Sequence, residues 1–357
     1  MENWKTVRLG DVCEKGSSNI AQNEITDNNG EYPIYGAAGF IKNVDFYKQD
    51  KPYIGIVKDG AGVGRVSVHP AKSSLIGTMQ YIFPKENIDI KFLAEFLKYQ
   101  NLSRFYTGAT IPHIYFKDYQ NIPLKLPSLQ KQKHISAVLD KCTALITKHK
   151  LMLEKYDTLI KSRFIEMFGD PVKNTKGWKT ESLQQVAPAK PAKNNLTDNV
   201  WLLNLDMVES QTGKVIDYLY VNILDTGNST YQFDEGNVLY SKLRPYLNKV
   251  VIPEQPGICT SELVPLRPTE KLNRYFLANL LRTDFFVNFI NEKVAGAKMP
   301  RVSMDTFRAF DCILPPIELQ NDFAAFVQQI DKSKFAVQKS LEKAETLYKS
   351  LMQEYFG

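Results

Sequence analysis

The chain has 357 residues, 43% hydrophobic and 24% charged, with a mean hydropathy of −0.30, long enough for two or three domains with cores of their own. No apolar run reaches the roughly 18 residues a membrane helix needs, the opening MENWKTVRLGDVCEK has no apolar signal stretch, and Cys13, Cys142, Cys259 and Cys312 form no C-x-x-C pair. Membrane, secreted disulfide-framework and structural zinc classes are thereby disfavoured, a reducing cytoplasm is expected, and a net charge of +6 with a pI near 8.8 permits a polyanionic partner without requiring one.

From the N-terminus, W-K-T-V-R-L-G-D-V begins at Trp4, and a segment rich in Tyr, Val, Ile, Gly, Pro and Asn runs to about residue 125. Its short apolar runs between turn residues predict strands at 53–57 and 63–68, and its spacing predicts a short amphipathic helix at 90–99. G-A-T-I-P-H-I follows at Gly108. After Leu126-Pro127 a seven-residue period sets in, with Leu139, Ile146, Leu153, Ile160 and Met167 at one position and Ile135, Cys142, His149, Tyr156 and Arg163 at its companion.

The pattern then restarts. W-K-T-E-S-L-Q-Q-V begins at Trp178, strands are predicted at 238–240 and 250–252 and a short helix at 274–281, and G-A-K-M-P-R-V begins at Gly296. A second heptad run places Phe323, Ile330, Val337, Ala344 and Leu351 beside Phe326, Ser333, Ser340, Leu347 and Glu354. The two Trp motifs are offset by 174 residues, while the Gly-Ala motifs, the Leu-Pro pairs and Gln132 with Gln320 are each offset by 188, so the second copy carries about 14 more residues. The expected fold class is α+β: two mixed α/β domains at 1–125 and 171–312, separated and followed by helical segments at 126–170 and 313–357. Each helix would cover about 35 residues, roughly 50 Å. The two are expected to pair as an antiparallel coiled coil with an internal pseudo-twofold repeat, holding two similar surfaces at set spacing, as a duplex DNA partner requires.

Motifs for chemistry are missing. Pro315-Pro316, between Leu314 and Ile317, does not match the amine-binding loop of an amino-methyltransferase, [D/N/S]-P-P-[Y/F/W]. Gly60-Ala61-Gly62-Val63-Gly64 is followed by the strand-like Arg65-Val66-Ser67-Val68, so it reads as a hairpin, not a phosphate loop opening a helix. The chain has neither a Walker A lysine motif nor the Pro-Asp of the common nuclease core, and His69, His113, His134 and His149 are not at metal spacing. No cofactor, metal or catalytic residue is expected.

Reading DNA takes cations and small polar groups on exposed loops. In the first domain the candidates are Lys58 and Arg65, flanking the glycines, and Thr110 and His113 in the Gly-Ala-x-x-Pro motif. In the second they are Ser241, Lys242, Arg244, Tyr246 and Lys249, with Lys298 and Arg301 as the motif's counterparts. The alternative readings are a tight turn with solvated charges for the glycine loop, a structural turn where domain meets helix for the Gly-Ala-x-x-Pro motif, and a surface hairpin for the 241–249 segment.

The residues that carry the repeat also carry a resemblance. FIEMFGDP from Phe164 and KGWKTESLQQV after it resemble the central conserved region of type I restriction–modification specificity subunits; LPPIELQNDFAAFVQQIDKSK and KSLMQEYF resemble their distal region. YGAAGFI, VKDGAGVGRV and YSKLRPYLNKV resemble segments of their target recognition domains. The resemblance covers essentially the whole chain and leaves no room for an added catalytic domain. It implies a non-catalytic subunit whose two target recognition domains each read half of a bipartite, asymmetric site in double-stranded DNA. The helices would set the spacing and dock two methyltransferase subunits, which would hold the catalysis and S-adenosylmethionine for adenine N6 methylation; restriction/translocase subunits would complete the complex. A fused single-chain methyltransferase or restriction enzyme, and a coiled-coil scaffold that does not bind DNA, are the alternatives.

Overall fold

The computed structural model describes residues 4–108, 110–193, 196, 199–227, 229–294 and 300–357. Contacts divide the chain into two units, residues 1–149 with 340–357 and residues 150–339. Each unit thus combines a globular part with a segment of both long helices.

The first unit contains β1 (Lys5–Arg8), α1 (Leu9–Val12), β2 (Cys13–Ser17), β3 (Tyr32–Gly36), β4 (Gly39–Val44), β5 (Tyr53–Val57), β6 (Val66–His69), β7 (Ser74–Leu75), β8 (Met79–Pro84), α2 (Ile90–Tyr99), α3 (Phe116–Tyr119) and β9 (Pro123–Leu126), followed by the start of α4 (Leu129–Phe168). Its strands form a four-stranded sheet in the order β2-β8-β5-β6, a three-stranded sheet β4-β3-β7 and the pair β1-β9. β6 begins at Val66, not at residue 63, because Gly60 and Gly64 adopt positive φ (88° and 83°) and the chain between them turns. α2 buries Phe92, Leu93, Phe96 and Leu97, one face of a helix, in a core shared with Ile135 and Leu139 of α4 and with Met352 and Phe356.

The second unit contains the rest of α4, then β10 (Lys179–Ser182), α5 (Leu183–Val186), β11 (Asn199–Leu203), β12 (Leu219–Asn222), β13 (Thr230–Phe233), β14 (Val238–Ser241), β15 (Val250–Val251), β16 (Gly257–Thr260), β17 (Leu263–Leu266), α6 (Arg274–Arg282), α7 (Asp284–Asn291), α8 (Met304–Arg308) and β18 (Asp311–Leu314), and the start of α9 (Ile317–Phe356). The sheets are β12-β11-β16-β13, β15-β14-β17 and β10-β18. Phe164 and Phe168 of α4 pack on Phe276 of α6 and Phe323 of α9, with ring centroids 4.7–5.5 Å apart.

The internal repeat is visible strand by strand. β1 pairs with β9 from Lys5↔Leu126, and β10 pairs with β18 from Lys179↔Leu314. β5 pairs with β8 through Ile54↔Ile82, and β14 with β17 through Val238↔Leu266. The offset therefore rises from 174 at the first strand to 184 at the central pair, and to 188 from the proline motif onward. The extra length falls partly among β11 to β13 and partly where the second unit inserts α7.

Both long helices run for 40 residues, about a turn beyond expectation. In α4 every heptad position read from the sequence is buried or half-buried, and Gln132, Ser136, Phe164 and Phe168 are buried beside them. In α9 the companion stripe holds at Phe326 and Ser333, which are half-buried, but not at Ser340, Leu347 and Glu354, which are exposed; Leu341 and Tyr348 are buried or half-buried in their place. A stripe alternating steps of four and three follows 3.6 residues per turn, so toward the C-terminus the companions of Val337 and Ala344 lie four residues on, not three. Within the second unit the two helix segments run antiparallel, with Lys334 Nζ 2.6 Å from Asp157 Oδ1 and Phe323 against Phe164 and Phe168.

Candidate nucleic-acid interface

In the first unit, the chain leaving β5 is held on both sides. The amides of Lys58 and Asp59 donate to Thr78 O (3.0 and 3.3 Å), that of Gly60 donates to Pro112 O (3.0 Å), and Ile114 N donates to Lys58 O (2.9 Å). The glycine loop and the proline motif, distant in sequence, are thus one antiparallel ladder. Asp59 lies at its centre, accepting from Lys58 Nζ at 2.8 Å and hydrogen-bonded to His113 Nδ1 at 2.7 Å. Partial burial opposes ionisation of Asp59, but the hydrogen bonds and charges of Lys58 and His113 outweigh it and hold the carboxyl below its ordinary range. A depressed folded pKa stabilises above the unfolded value near 3.8, and that contribution is lost as pH falls through the folded value. Asp59→Asn is therefore expected to lower the thermal midpoint at pH 7, with the gap to the wild type closing as pH falls below 3.8; equal midpoints at pH 7 would contradict this.

The second unit repeats this frame with other side chains. Lys242 N donates to Glu262 O (3.1 Å), Arg244 N to Pro300 O (2.8 Å) and Val302 N to Lys242 O (3.1 Å). Lys58, Asp59 and Gly60 thus correspond to Lys242, Leu243 and Arg244, and Pro112 and His113 to Pro300 and Arg301. Gly60 has φ +88° and its counterpart Arg244 has φ +49°, so both loops need a left-handed residue at the same place. Arg244 opens the turn Pro245–Leu247.

Not every candidate reaches outward. Arg244, Tyr246, Arg301 and Thr110 are exposed, Lys58, Lys242 and His113 half-buried. Ser241 is 2% exposed and its hydroxyl donates to Leu243 O at 2.8 Å, so it braces the loop from below. Lys249 donates to Leu205 O at 2.8 Å, and burial lowers its pKa; it too supports the loop. Arg65 donates to Ala37 O at 2.8 Å, tying the glycine loop to the β3–β4 turn. Arg301 is paired with Glu262 at 2.8 Å. Lys298 lies outside the described residues. Asp59 and Glu262, which hold the cations in place, escape a search for cations; an acid beside each basic loop was the available signal.

The described residues contain no cluster of three or more His, Cys, Asp or Glu that would hold a metal, and all four cysteines are buried and free. None of the helices among the described residues is long and apolar enough to cross a membrane.

The family described as type I restriction modification DNA specificity domain matches residues 1–155 and 175–345. The chain is 24% identical to the type I restriction enzyme EcoDI specificity subunit of Escherichia coli, covering 99% of this chain and 88% of that protein. It is 23% identical to the MjaVIII specificity subunit of Methanocaldococcus jannaschii, covering 98% and 91%. Its fold matches the crystal structure of the type I restriction–modification S subunit from M. genitalium with a TM-score of 0.64 at 16% identity, over 99% of this chain and 96% of that one. A chain from a structural study of complex assembly and conformational transition of the type I R-M system matches with a TM-score of 0.54 at 14% identity, over 100% and 98%.

Proposed function

Because the chain belongs to the type I restriction–modification DNA specificity family and is a specificity subunit, we propose that each of its units reads one half of a bipartite, asymmetric site in double-stranded DNA. The observation that carries this reading is the paired ladder: the same backbone frame in both units, presenting Lys58, Asp59, Gly60 and His113 in one and Lys242, Leu243, Arg244 and Arg301 in the other. Matched frames with unlike side chains suit two unlike half-sites, because base readout resides in side chains and phosphate contacts in cations and amides.

The residues 1–125 and 171–312 act as target recognition domains, and the helical segments 126–170 and 313–357 set the spacing and dock two methyltransferase subunits. Adenine N6 methylation with S-adenosylmethionine belongs to those partners, restriction and translocation to further subunits, and the complex works in the cytoplasm.

The test is binding by the chain co-purified with its methyltransferase. Affinity for the cognate duplex is expected to fall steeply with salt; salt-independent or absent binding favours the scaffold. Methyl transfer from labelled S-adenosylmethionine by the chain alone would instead favour a fused enzyme.

A further inference from the structure

We infer that Gln132 and Gln320 are positioning residues that fix the angle of each recognition domain on its long helix and thereby the half-site spacing the complex accepts; the inference rests on the bipartite reading above. Both glutamines are 0% exposed. Gln132 Oε1 accepts from Asp89 N (2.8 Å), while its Nε2 donates to Asn87 O (3.1 Å) and Pro127 O (2.9 Å). Gln320 Oε1 accepts from Asn273 N (2.9 Å), while its Nε2 donates to Lys271 O (3.1 Å) and Pro315 O (2.8 Å). The three bonds are the same in both units, although the domains differ in sequence around them.

The chemistry suits a clamp. One primary amide meets one backbone donor and two backbone carbonyls, so both its amide hydrogens and its oxygen are used and its orientation is fixed. The partners come from two bodies. Asp89 and Asn273 are the N-caps of α2 and α6, Asp89 accepting from Phe92 N and Asn273 from Tyr275 N and Phe276 N, while Pro127 and Pro315 precede α4 and α9. The amide therefore joins the start of a domain helix to the start of a long helix. A hydrophobic contact tolerates sliding, whereas three directional bonds to backbone do not. A smaller second link stands beside each: Ser136 Oγ donates to Asp89 Oδ1 at 2.7 Å, and Asn273 Nδ2 to Asn321 Oδ1 at 2.8 Å.

Spacing is where a loosened clamp would show. One added base pair shifts a half-site along the axis and turns it by about 34° at roughly 10.5 base pairs per turn, so a rigid chain tolerates one spacing and a swivelling domain several. The experiment uses the assembled methyltransferase complex and duplexes whose half-sites, taken from the mapped methylation motif, are moved apart or together one base pair at a time. The wild-type complex is expected to methylate one spacing about a hundredfold faster than its neighbours, and Gln132→Met to cut that preference to about tenfold, the scale at which small misplacements act on rates. Ser136→Ala, which removes only the second link and leaves the buried amide satisfied, is expected to give a smaller loss and decides the matter if Gln132→Met does not assemble. Val44→Ala, in a separate small core, is expected to lower thermal stability without touching the clamp and should leave the preference intact. Unchanged preference in both clamp variants of an active complex overturns the clamp while leaving the bipartite reading in place. A wild-type complex that methylates no bipartite duplex overturns that reading and this inference with it.

Discussion

The double variant Lys242→Ala/Arg244→Ala is expected to weaken binding of the assembled complex to its cognate duplex by about one to two orders of magnitude, and to reduce the slope of log affinity against log salt by about two, one for each phosphate charge no longer neutralised. The expectation follows from what these side chains leave behind. The frame is made by main-chain groups, Lys242 N to Glu262 O, Arg244 N to Pro300 O and Val302 N to Lys242 O, so truncation at Cβ removes charge without removing a rung. Alanine at 244 keeps a Cβ at φ +49°, as arginine does, and adds no strain of its own. Ser241→Ala and Lys249→Ala make the contrast: each breaks a bond to a carbonyl of the loop or its neighbour, so each should lower stability and leave the salt slope alone. Titrations at four or five salt concentrations check this. An unchanged affinity and slope in the double variant would remove the loop from the interface.

Phe168→Ala is expected to destabilise the second unit by about 3–5 kcal/mol. Phe168 is fully buried and touches Phe164, Phe276 and Phe323, three rings from three helices, so little can collapse into the cavity without moving a helix. Its carbonyl also accepts from the Trp178 indole at 3.0 Å, which makes tryptophan fluorescence a local reporter in denaturant unfolding. A loss below about 1 kcal/mol would mean that the surrounding helices close the gap, contrary to the tight packing of cores.

The long helices were legible because a seven-residue period over four or five heptads is a strong signal, and α2 and α6 because their apolar faces are local features. The C-terminal part of the companion stripe of α9 was not: Leu347 is apolar and attracts the eye but is exposed, while the half-buried Lys334 does not, its charge being met by Asp157 across the helix pair. The repeat landmarks were legible as matching letters but not as parts. They are the strand pairs β1-β9 and β10-β18 that lead into the long helices, the proline motif that completes each ladder, and the two glutamines that join domain to helix. The interface was half legible. Sequence singled out the basic loop and the proline motif separately; that they form one ladder depends on hydrogen bonds between residues 52 or more apart, beyond any local signal. Burial of Ser241 and the inward turn of Lys249 are set by neighbours far along the chain, so residue type alone marked both as readers.

The most direct measurement of the central claim is a genome-wide map of adenine methylation by single-molecule sequencing, in the source strain with and without this gene. The expected result is a gapped motif with two unlike halves that disappears on deletion and returns on complementation. Persistence of every methylated motif after deletion, in cells where the cognate methyltransferase is expressed and co-purifies with the intact chain, would contradict it.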